Sequence, residues 1–317
     1  MQKKNIIQCR ISKSLGGGFD GTPNEVWGTI DYTDRNVATV FCGMYDLRDY
    51  IALWRHKGKA WVFWCGSDIR NIRSNFIFND GKLLWLSQLF DRLNLNFRDL
   101  IVKKLLLKAE NWCENEAEAW QLKDMGLKVD GITPSFFGDI KKYKLAFKPG
   151  NKVYMSANPG REEEYGWPLV FSVAWALPQI EFHLYGSNWW SFQDSLSRQG
   201  LTLKDFYPNV FLHGKVPIKK MNREIKKMQC GLRLNKHDGF SEVTAKSVLW
   251  GQYPITYLYN EQIDQMAGDS HGYVNTSANF TKLFMLLNEI PNKKKANLKG
   301  RNYYLKTLNK YPWSKTF

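Results

Sequence analysis

Short apolar runs alternate with amphipathic segments in the N-terminal half of the chain. Val37–Phe41 and Lys59–Trp64 are rich in β-branched and aromatic residues, which predicts two buried strands. Between them, Asp46–His56 has the spacing of apolar positions that is typical of a helix. A further amphipathic segment, Glu110–Gly126, predicts a helix that ends at its glycine, and Val129–Thr133 predicts the strand that follows.

The C-terminal half shows the same alternation. Gly231–Thr256 predicts a strand, a polar turn, a helix over Glu242–Trp250 that ends at Gly251, and a second strand. Three more strands are predicted by short apolar runs at Lys152–Met155, Ile180–Gly186 and Asn209–Gly214. Strands that alternate with helices are typical of parallel, doubly wound sheets, and the length of 317 residues fits two such units.

The turn Lys236–Ser241 is a candidate anion site. Gly239 lets the backbone approach a ligand closely, and the N–H groups that open the next helix point back at the turn. Nucleotide diphosphates are commonly held in this way. The alternative interpretation is an ordinary loop between a strand and a helix.

This segment resembles the donor-binding signature of GT-B glycosyltransferases, in particular of the family 4 type. That signature has an acidic residue, Gly-Phe-Gly, a second Glu and then Gly-x-Pro-Val. The corresponding residues here are Asp238, Gly239, Phe240, Ser241, Lys246, Gly251, Pro254 and Ile255. Upstream, Gly160-Arg161 corresponds to the Gly-Arg that binds the donor diphosphate, and the resemblance extends over residues 150–285.

The resemblance implies an α/β GT-B fold, with two Rossmann-like domains whose parallel sheets face each other across a cleft. It implies an acceptor domain over residues 1–148, a nucleotide-sugar domain over 149–290 and a basic tail over 291–317, for which a return to the first domain is one option. The activity it implies is a metal-independent glycosyltransferase that moves a hexose or pentose from a nucleotide sugar. No further cofactor is expected, and a UDP-sugar is the expected donor.

The matching positions provide candidate catalytic and donor-binding residues. Arg161 would stabilise the departing diphosphate, because its planar fork donates paired hydrogen bonds to phosphate oxygens. The resemblance places Asp238 on the hydroxyls of the donor sugar, and His237 beside it is a candidate polar contact. The backbone from Gly239 through Phe240 to Ser241 would contact the diphosphate.

Two positions depart from the family pattern. Lys246 stands where the family has the Glu that binds the donor ribose. Either Lys246 reaches a phosphate instead, or Glu242, one turn earlier on the same helix face, binds the ribose hydroxyls. The lysine that accompanies the Gly-Arg in the family is also replaced, within Glu162–Gly166.

Two N-terminal features are candidates for the acceptor side. A glycine-rich loop follows the first predicted strand, Asn5–Ile11, and would let the backbone approach the sugar and phosphate; a flexible surface loop is the alternative. The loop residues of interest are Gly16, Gly17, Gly18 and Asp20. Asp68, just after the predicted strand Lys59–Trp64, is the candidate base if the enzyme inverts, and would only orient the acceptor if it retains.

Composition narrows the classes of protein. The formal net charge is +15, and no apolar run approaches the length of a membrane-spanning helix or forms a signal peptide. Five cysteines are scattered without a Cys-x-x-Cys pair, which predicts reduced thiols rather than disulfides or a zinc site. We therefore expect a soluble cytoplasmic protein without a metal.

The composition of the basic tail indicates which kind of acceptor to expect. Asn292–Phe317 has aromatic residues between its lysines and arginines and no acidic residue, which is typical of a nucleic-acid contact. A solvated helix face, a return to the N-terminal domain and contact with anionic lipid are the alternatives. The leading hypothesis for the acceptor is double-stranded DNA with hydroxymethylated pyrimidines, the substrate of bacteriophage DNA glycosyltransferases, in the cytoplasm of a host cell.

Two other functions remain open. A glycan or lipid-linked acceptor at the cytoplasmic membrane face is one, with Asp99–Ala109 as a basic amphipathic docking segment. A basic nucleic-acid-binding protein with a degenerate nucleotide site is the other. Release of nucleotide diphosphate from a donor separates this last function from the two enzymatic ones.

Overall fold

Two compact units make up the part of the chain that the computed structural model describes, which is residues 6–15, 20–73, 104–235, 239–257 and 279–314 with Leu89 and Arg92. The first unit contains the described residues up to Asp139, then Gly239 and Phe240, and those from Thr307 onward. The second contains the described residues from Ile140 to Asn235 and from Ser241 to Lys306.

The first unit is built on a parallel sheet of six described strands. Its strands are β1 (Gln8–Ile11), β2 (Ile30–Asp31), β3 (Thr39–Cys42), β4 (Ala60–Phe63), β5 (Glu110–Cys113) and β6 (Gly131–Ile132). Their order across the sheet is β2-β1-β3-β4-β5-β6, and each neighbouring pair is parallel. Its helices are α1 (Pro23–Trp27), α2 (Leu47–Arg55), α3 (Ser67–Arg73) and α4 (Glu116–Asp124).

The second unit has a parallel sheet of five described strands. They are β7 (Lys152–Ser156), β8 (Glu181–Tyr185), β9 (Val210–Gly214), β10 (Cys230–Arg233) and β11 (Tyr253–Thr256), in the order β11-β10-β7-β8-β9. The helices are α5 (Trp167–Ala176), α6 (Trp190–Ser197), α7 (Leu203–Phe206), α8 (Ile218–Ile225), α9 (Glu242–Leu249), α10 (Asn279–Glu289) and α11 (Leu298–Thr307). Short 3-10 turns lie at Leu106–Lys108, Ile140–Lys142 and Ile290–Asn292.

Local sequence explains why these elements form. All four residues of β3 are buried, as expected for a central strand of a parallel sheet covered on both faces. Asp46 caps the start of helix α2, because its carboxylate accepts the Arg48 N–H at 2.8 Å, and Asp49 completes the capping box. The predicted α/β class with two parallel sheets is confirmed.

One sequence prediction is wrong. Residues 110–126 do not form a single helix, because Glu110–Cys113 is strand β5 and only Glu116–Asp124 is helical. The strand alternates half-buried and buried residues, which is the period of two that the helical interpretation overlooked. Asn115 then starts the helix, since its side-chain oxygen accepts the Glu118 N–H at 2.9 Å.

Tyr311 and Trp313 of the basic tail lie in the core of the first unit. Trp27 is fully buried there, and its ring contacts Phe63, Tyr311 and Trp313 at centroid distances of 5.4, 5.6 and 5.7 Å. The Tyr311 hydroxyl donates to the Thr133 carbonyl at 2.9 Å. These aromatic residues therefore pack inside the protein rather than on a nucleic-acid surface.

A stack of rings lies on β8 and β9 in the second unit. His183 Nδ1 and His213 Nε2 are 2.9 Å apart, and the two rings are stacked with centroids at 5.2 Å. His213 also stacks on Tyr185 at 4.3 Å, and His183 on Phe211 at 5.0 Å. Since one ring nitrogen must donate to the other, this contact requires that at least one of the histidines be neutral.

Burial lowers the pKa of both histidines. It lowers the pKa of His183 to about 4, helped by the positive charges that His213 and Lys152 would add and opposed by Glu181. For His213, burial also lowers the pKa, while Glu224 opposes the shift and Lys220 supports it. A partly buried histidine that is neutral in the folded protein destabilises the fold when acid protonates it.

We expect the second unit to lose stability as the pH falls from 6.5, the ordinary histidine value, towards about 4, because the unfolded chain binds protons there that the folded chain does not. Urea unfolding at a series of pH values in this window measures the effect. A double variant, His183→Gln with His213→Gln, should show a flatter dependence than the native chain. An equal slope in both proteins would show that other groups control acid stability.

Candidate functional site

The candidate donor site of the second unit is formed by loops at one edge of its sheet. Because every described strand pair in this sheet is parallel, the segments that follow β7, β10 and β8 leave from the same carboxyl edge. This is the edge at which open α/β sheets bind nucleotides. Arg161 follows β7, Arg233 ends β10, and helix α9 begins a few residues beyond.

Arg161 lies on an exposed turn after β7. Gly160 before it adopts a positive φ of 78°, and the Arg161 side chain is 44% exposed. Its guanidinium donates from Nε and Nη2 to the two carboxylate oxygens of Glu164, at 2.7 and 2.6 Å. This is the paired geometry that a guanidinium also offers to a phosphate, so Glu164 occupies the fork that the sequence assigns to a diphosphate.

Arg233 is a second guanidinium at this edge, and the sequence interpretation missed it. Its Cζ lies 4.4 Å from the centre of the Tyr165 ring, and Arg161 Cζ lies 5.7 Å from the same ring. Only its place as the last residue of an apolar strand could have indicated it, since such residues project from the functional edge of a parallel sheet.

Helix α9 begins at the predicted anion turn. The Ser241 hydroxyl caps it by accepting the N–H groups of Val243 at 3.1 Å and Thr244 at 3.3 Å. On the same helix, Lys246 is buried, with 2% of its side chain exposed, and its Nζ lies 3.3 Å from Glu242 Oε2. The structure therefore pairs the two residues that the sequence offers as alternatives for ribose or phosphate.

The first unit contains a cluster around Glu114 that the sequence did not indicate. The Phe240 N–H donates to Glu114 Oε2 at 2.7 Å, and the Ser135 hydroxyl donates to its other oxygen. A Cβ atom on Gly239 would collide with Glu114 Oε2, so a larger residue there would displace this carboxylate. The Phe240 N–H, predicted to face a diphosphate, is thus bound to a carboxylate.

Asp68 is fully buried in the first unit, at the start of α3. Its carboxylate accepts the N–H groups of Met44 at 3.0 Å, Cys65 at 3.1 Å and Ile69 at 3.0 Å. Burial raises the pKa of Asp68 to about 6, and the backbone hydrogen bonds oppose that shift. These hydrogen bonds connect the loop after β4 to the start of α3. The role of Asp68 as a base stays a prediction.

Gly16, Gly17, Gly18, His237 and Asp238 lie outside the described residues. Asp20 is described and half-buried.

The described part of the chain contains neither a metal-binding cluster nor a membrane-spanning helix. No cluster of three or more His, Cys, Asp and Glu side chains there is arranged to hold a metal ion. Nor does any described helix have the length and apolar character needed to cross a bilayer.

Solved structures share this fold. No protein-family model and no curated protein sequence matches the chain. A variant of TarM from S. aureus, in complex with fondaparinux, alpha-GlcNAc-glycerol and UDP, matches with a TM-score of 0.54 and 13% identity, over 86% of this chain and 52% of that one. Anabaena HepE in complex with UDP matches with a TM-score of 0.56 and 12% identity, over 95% and 94%.

A third match is the sucrose-phosphate synthase of Thermosynechococcus elongatus, with a TM-score of 0.58 and 10% identity over 85% of this chain and 69% of that one. The chain spans about half the length of TarM. At these identities the likeness establishes the fold alone, which is the GT-B fold of glycosyltransferases.

Proposed function

We propose that this chain is a glycosyltransferase that moves a sugar from a nucleotide sugar, with UDP as the nucleotide, to a hydroxyl of an acceptor. The observation that carries the proposal is the guanidinium of Arg161, beside Arg233, at the carboxyl edge of the second unit's sheet. Support for UDP comes from HepE, which shares the fold and binds UDP and UDP-glucose in its crystal structures.

In this reaction the bond between the sugar carbon and the diphosphate oxygen breaks, and a bond from the acceptor oxygen to that carbon forms. Arg161 would exchange Glu164 for the diphosphate and stabilise the charge that develops on it. Asp238 and His237 would hold the donor sugar, and Glu242 the ribose. Asp68 would take the acceptor proton if transfer inverts the sugar and would only orient the acceptor if transfer retains it, and no metal takes part.

We propose DNA with hydroxymethylated pyrimidines as the acceptor, with the protein acting in a cytoplasm. Support comes from the net charge of +15 and from the basic face of α8. Six exposed basic residues, on α8 and directly before and after it, define what we call the basic face: Lys215, Lys219, Lys220, Arg223, Lys226 and Lys227. None of them forms an ion pair with a described residue.

The composition of the basic face favours a phosphodiester chain over lipid. Ile225 of α8 is buried and Ile218 and Met221 are half-buried, and no large apolar side chain is exposed between residues 215 and 227. Surfaces that insert into a membrane expose apolar residues beside their lysines. A face with cations alone is typical of contact with a nucleic-acid backbone.

A glycan is the second candidate acceptor. The observation in its favour is that TarM, which shares the fold, binds alpha-GlcNAc-glycerol in its crystal structure. A lipid-linked sugar at a membrane face belongs to the same class.

Mass spectrometry of nucleosides tests the acceptor. The protein is incubated with a panel of nucleotide sugars and with duplex DNA that contains hydroxymethylcytosine or plain cytosine. We expect the mass of one sugar to be added to the hydroxymethylated base only, because transfer needs a hydroxyl nucleophile that plain cytosine lacks. Release of nucleotide diphosphate without transfer to either DNA would exclude DNA and favour a glycan acceptor.

Two charge-matched variants sharpen the same assay. Lys219→Gln with Lys220→Gln and Arg223→Gln removes three charges from the basic face, and Lys293→Gln with Lys294→Gln and Lys295→Gln removes three from the tail segment. We expect the first variant to lose DNA transfer but keep donor hydrolysis, and its DNA binding to depend less on salt, by a log-log slope of roughly 0.9 per lost phosphate contact. Equal losses in both variants would indicate general charge rather than a binding face.

A further inference from the structure

Two guanidiniums converge on one aromatic ring in the second unit. Arg161 follows β7 and Arg233 ends β10, yet both lie over Tyr165, at 5.7 and 4.4 Å from its ring centre. The Tyr165 side chain is buried. The ring therefore provides a fixed, uncharged support beside which two cations are placed.

Strand register and loop packing explain this convergence. Leu232 of β10 pairs with Met155 of β7, so Arg233 emerges at the edge where the chain turns towards Gly160 and Arg161. The two loops also touch, since a Cβ atom on Gly166 would lie only 2.8 Å from Leu234 Cβ. Arg233 is thus held near Arg161 by the sheet, independently of any ligand.

The two arginines are close enough for their positive charges to repel each other. The hydrogen bonds that Arg161 donates to Glu164 raise the pKa of Arg161, and the positive charge of Arg233 opposes that rise. Placing two like charges side by side is unfavourable in the free protein. A bound diphosphate would offset this repulsion, because each planar guanidinium can donate paired hydrogen bonds to a different pair of its oxygens.

We infer that Arg233 binds the diphosphate of the nucleotide donor together with Arg161. This role rests on the proposed function, because it presumes a nucleotide-sugar donor. It assigns the second cation to the end of β10 rather than to Lys246, whose side chain is buried and paired with Glu242. Tyr165 takes part by positioning the two guanidiniums and not by contacting the ligand.

Calorimetric titration with UDP, UMP and uridine tests the inference in the full-length protein. We expect Arg233→Gln to weaken UDP binding by about 10- to 100-fold, as for loss of one charge-assisted contact. The loss should be smaller for UMP and absent for uridine, because uridine has no phosphate. Arg233→Lys, which keeps the charge but not the planar fork, should lose part of the affinity.

Controls separate this role from general effects of charge and folding. Arg198→Gln removes the same charge at an exposed position after α6 and should leave all three affinities unchanged. Equal weakening of UDP and uridine by Arg233→Gln would indicate a structural role, and unchanged UDP binding would also overturn the inference. If either outcome occurs while the native protein binds UDP, the role of Arg233 is wrong and the proposed function stands. If the native protein binds neither UDP nor another nucleoside diphosphate, both the role of Arg233 and the proposed function are overturned.

Discussion

Replacing Arg161 with alanine should lower turnover at saturating donor roughly 100-fold, a loss on the order of 3 kcal/mol of transition-state stabilisation. The reason is that charge grows on the diphosphate as the sugar departs, and the Arg161 fork would bind that charge most strongly in the transition state. Turnover is measured as release of nucleotide diphosphate, with and without acceptor. Arg161→Lys should recover part of the rate, because a point charge replaces a planar fork.

The structure supplies two controls for this experiment. The ion pair between Arg161 and Glu164 is exposed, so its loss should leave the melting temperature nearly unchanged. Glu164→Gln breaks the same ion pair but keeps the arginine, and it should retain the native rate or exceed it, since Arg161 no longer has a competing carboxylate. A native rate in Arg161→Ala would place the diphosphate elsewhere, and slow turnover in Glu164→Gln would show that the ion pair itself is needed.

Much of the fold could be predicted because its signals are local. Buried strands such as β3 and β4 are short runs of β-branched and aromatic residues, and α9 is bounded by Ser241 and Gly251. The prediction was wrong where two periods meet, at Glu110–Gly126, since a four-residue strand is too short to outweigh the helical pattern after it.

The candidate site could be predicted only where it follows from one continuous motif. Arg161 follows a strand and a glycine, which the sequence shows directly. Arg233 in the second unit and Glu114 in the first unit each contact a partner that is distant in the chain, Tyr165 for Arg233 and Phe240 for Glu114. Such contacts are set by strand order and register, which a single sequence does not specify.

The partner of a buried charged side chain also could not be predicted from the sequence. The sequence offered Lys246 as a phosphate contact, with Glu242 as a ribose contact for the alternative, and the structure shows the Lys246 side chain enclosed beside Glu242. Periodicity places these two residues on one helix face, but it does not tell which face the protein buries.

Replacing Lys246 with glutamate should destabilise the second unit by about 3 kcal/mol or more, because it breaks a buried ion pair and sets a second carboxylate one turn from Glu242. The measurement is urea unfolding of the native and variant proteins. Lys246→Met provides the control, because it removes the positive charge while keeping an apolar stem of similar length. Its loss should be smaller, since Glu242 keeps 20% of its side chain exposed and can be hydrated.

UDP binding by the folded fraction then distinguishes a phosphate contact from a structural role for Lys246. We expect Lys246→Met to keep UDP binding close to native, because Arg161 and Arg233 would supply the cations that the diphosphate needs. A strong loss of UDP binding in a folded Lys246→Met protein would instead make Lys246 a phosphate contact. A Lys246→Glu protein as stable as the native chain would show that the ion pair with Glu242 does not stabilise the fold. Tighter binding of UDP-sugar by that variant would show that an acidic residue here completes a ribose site.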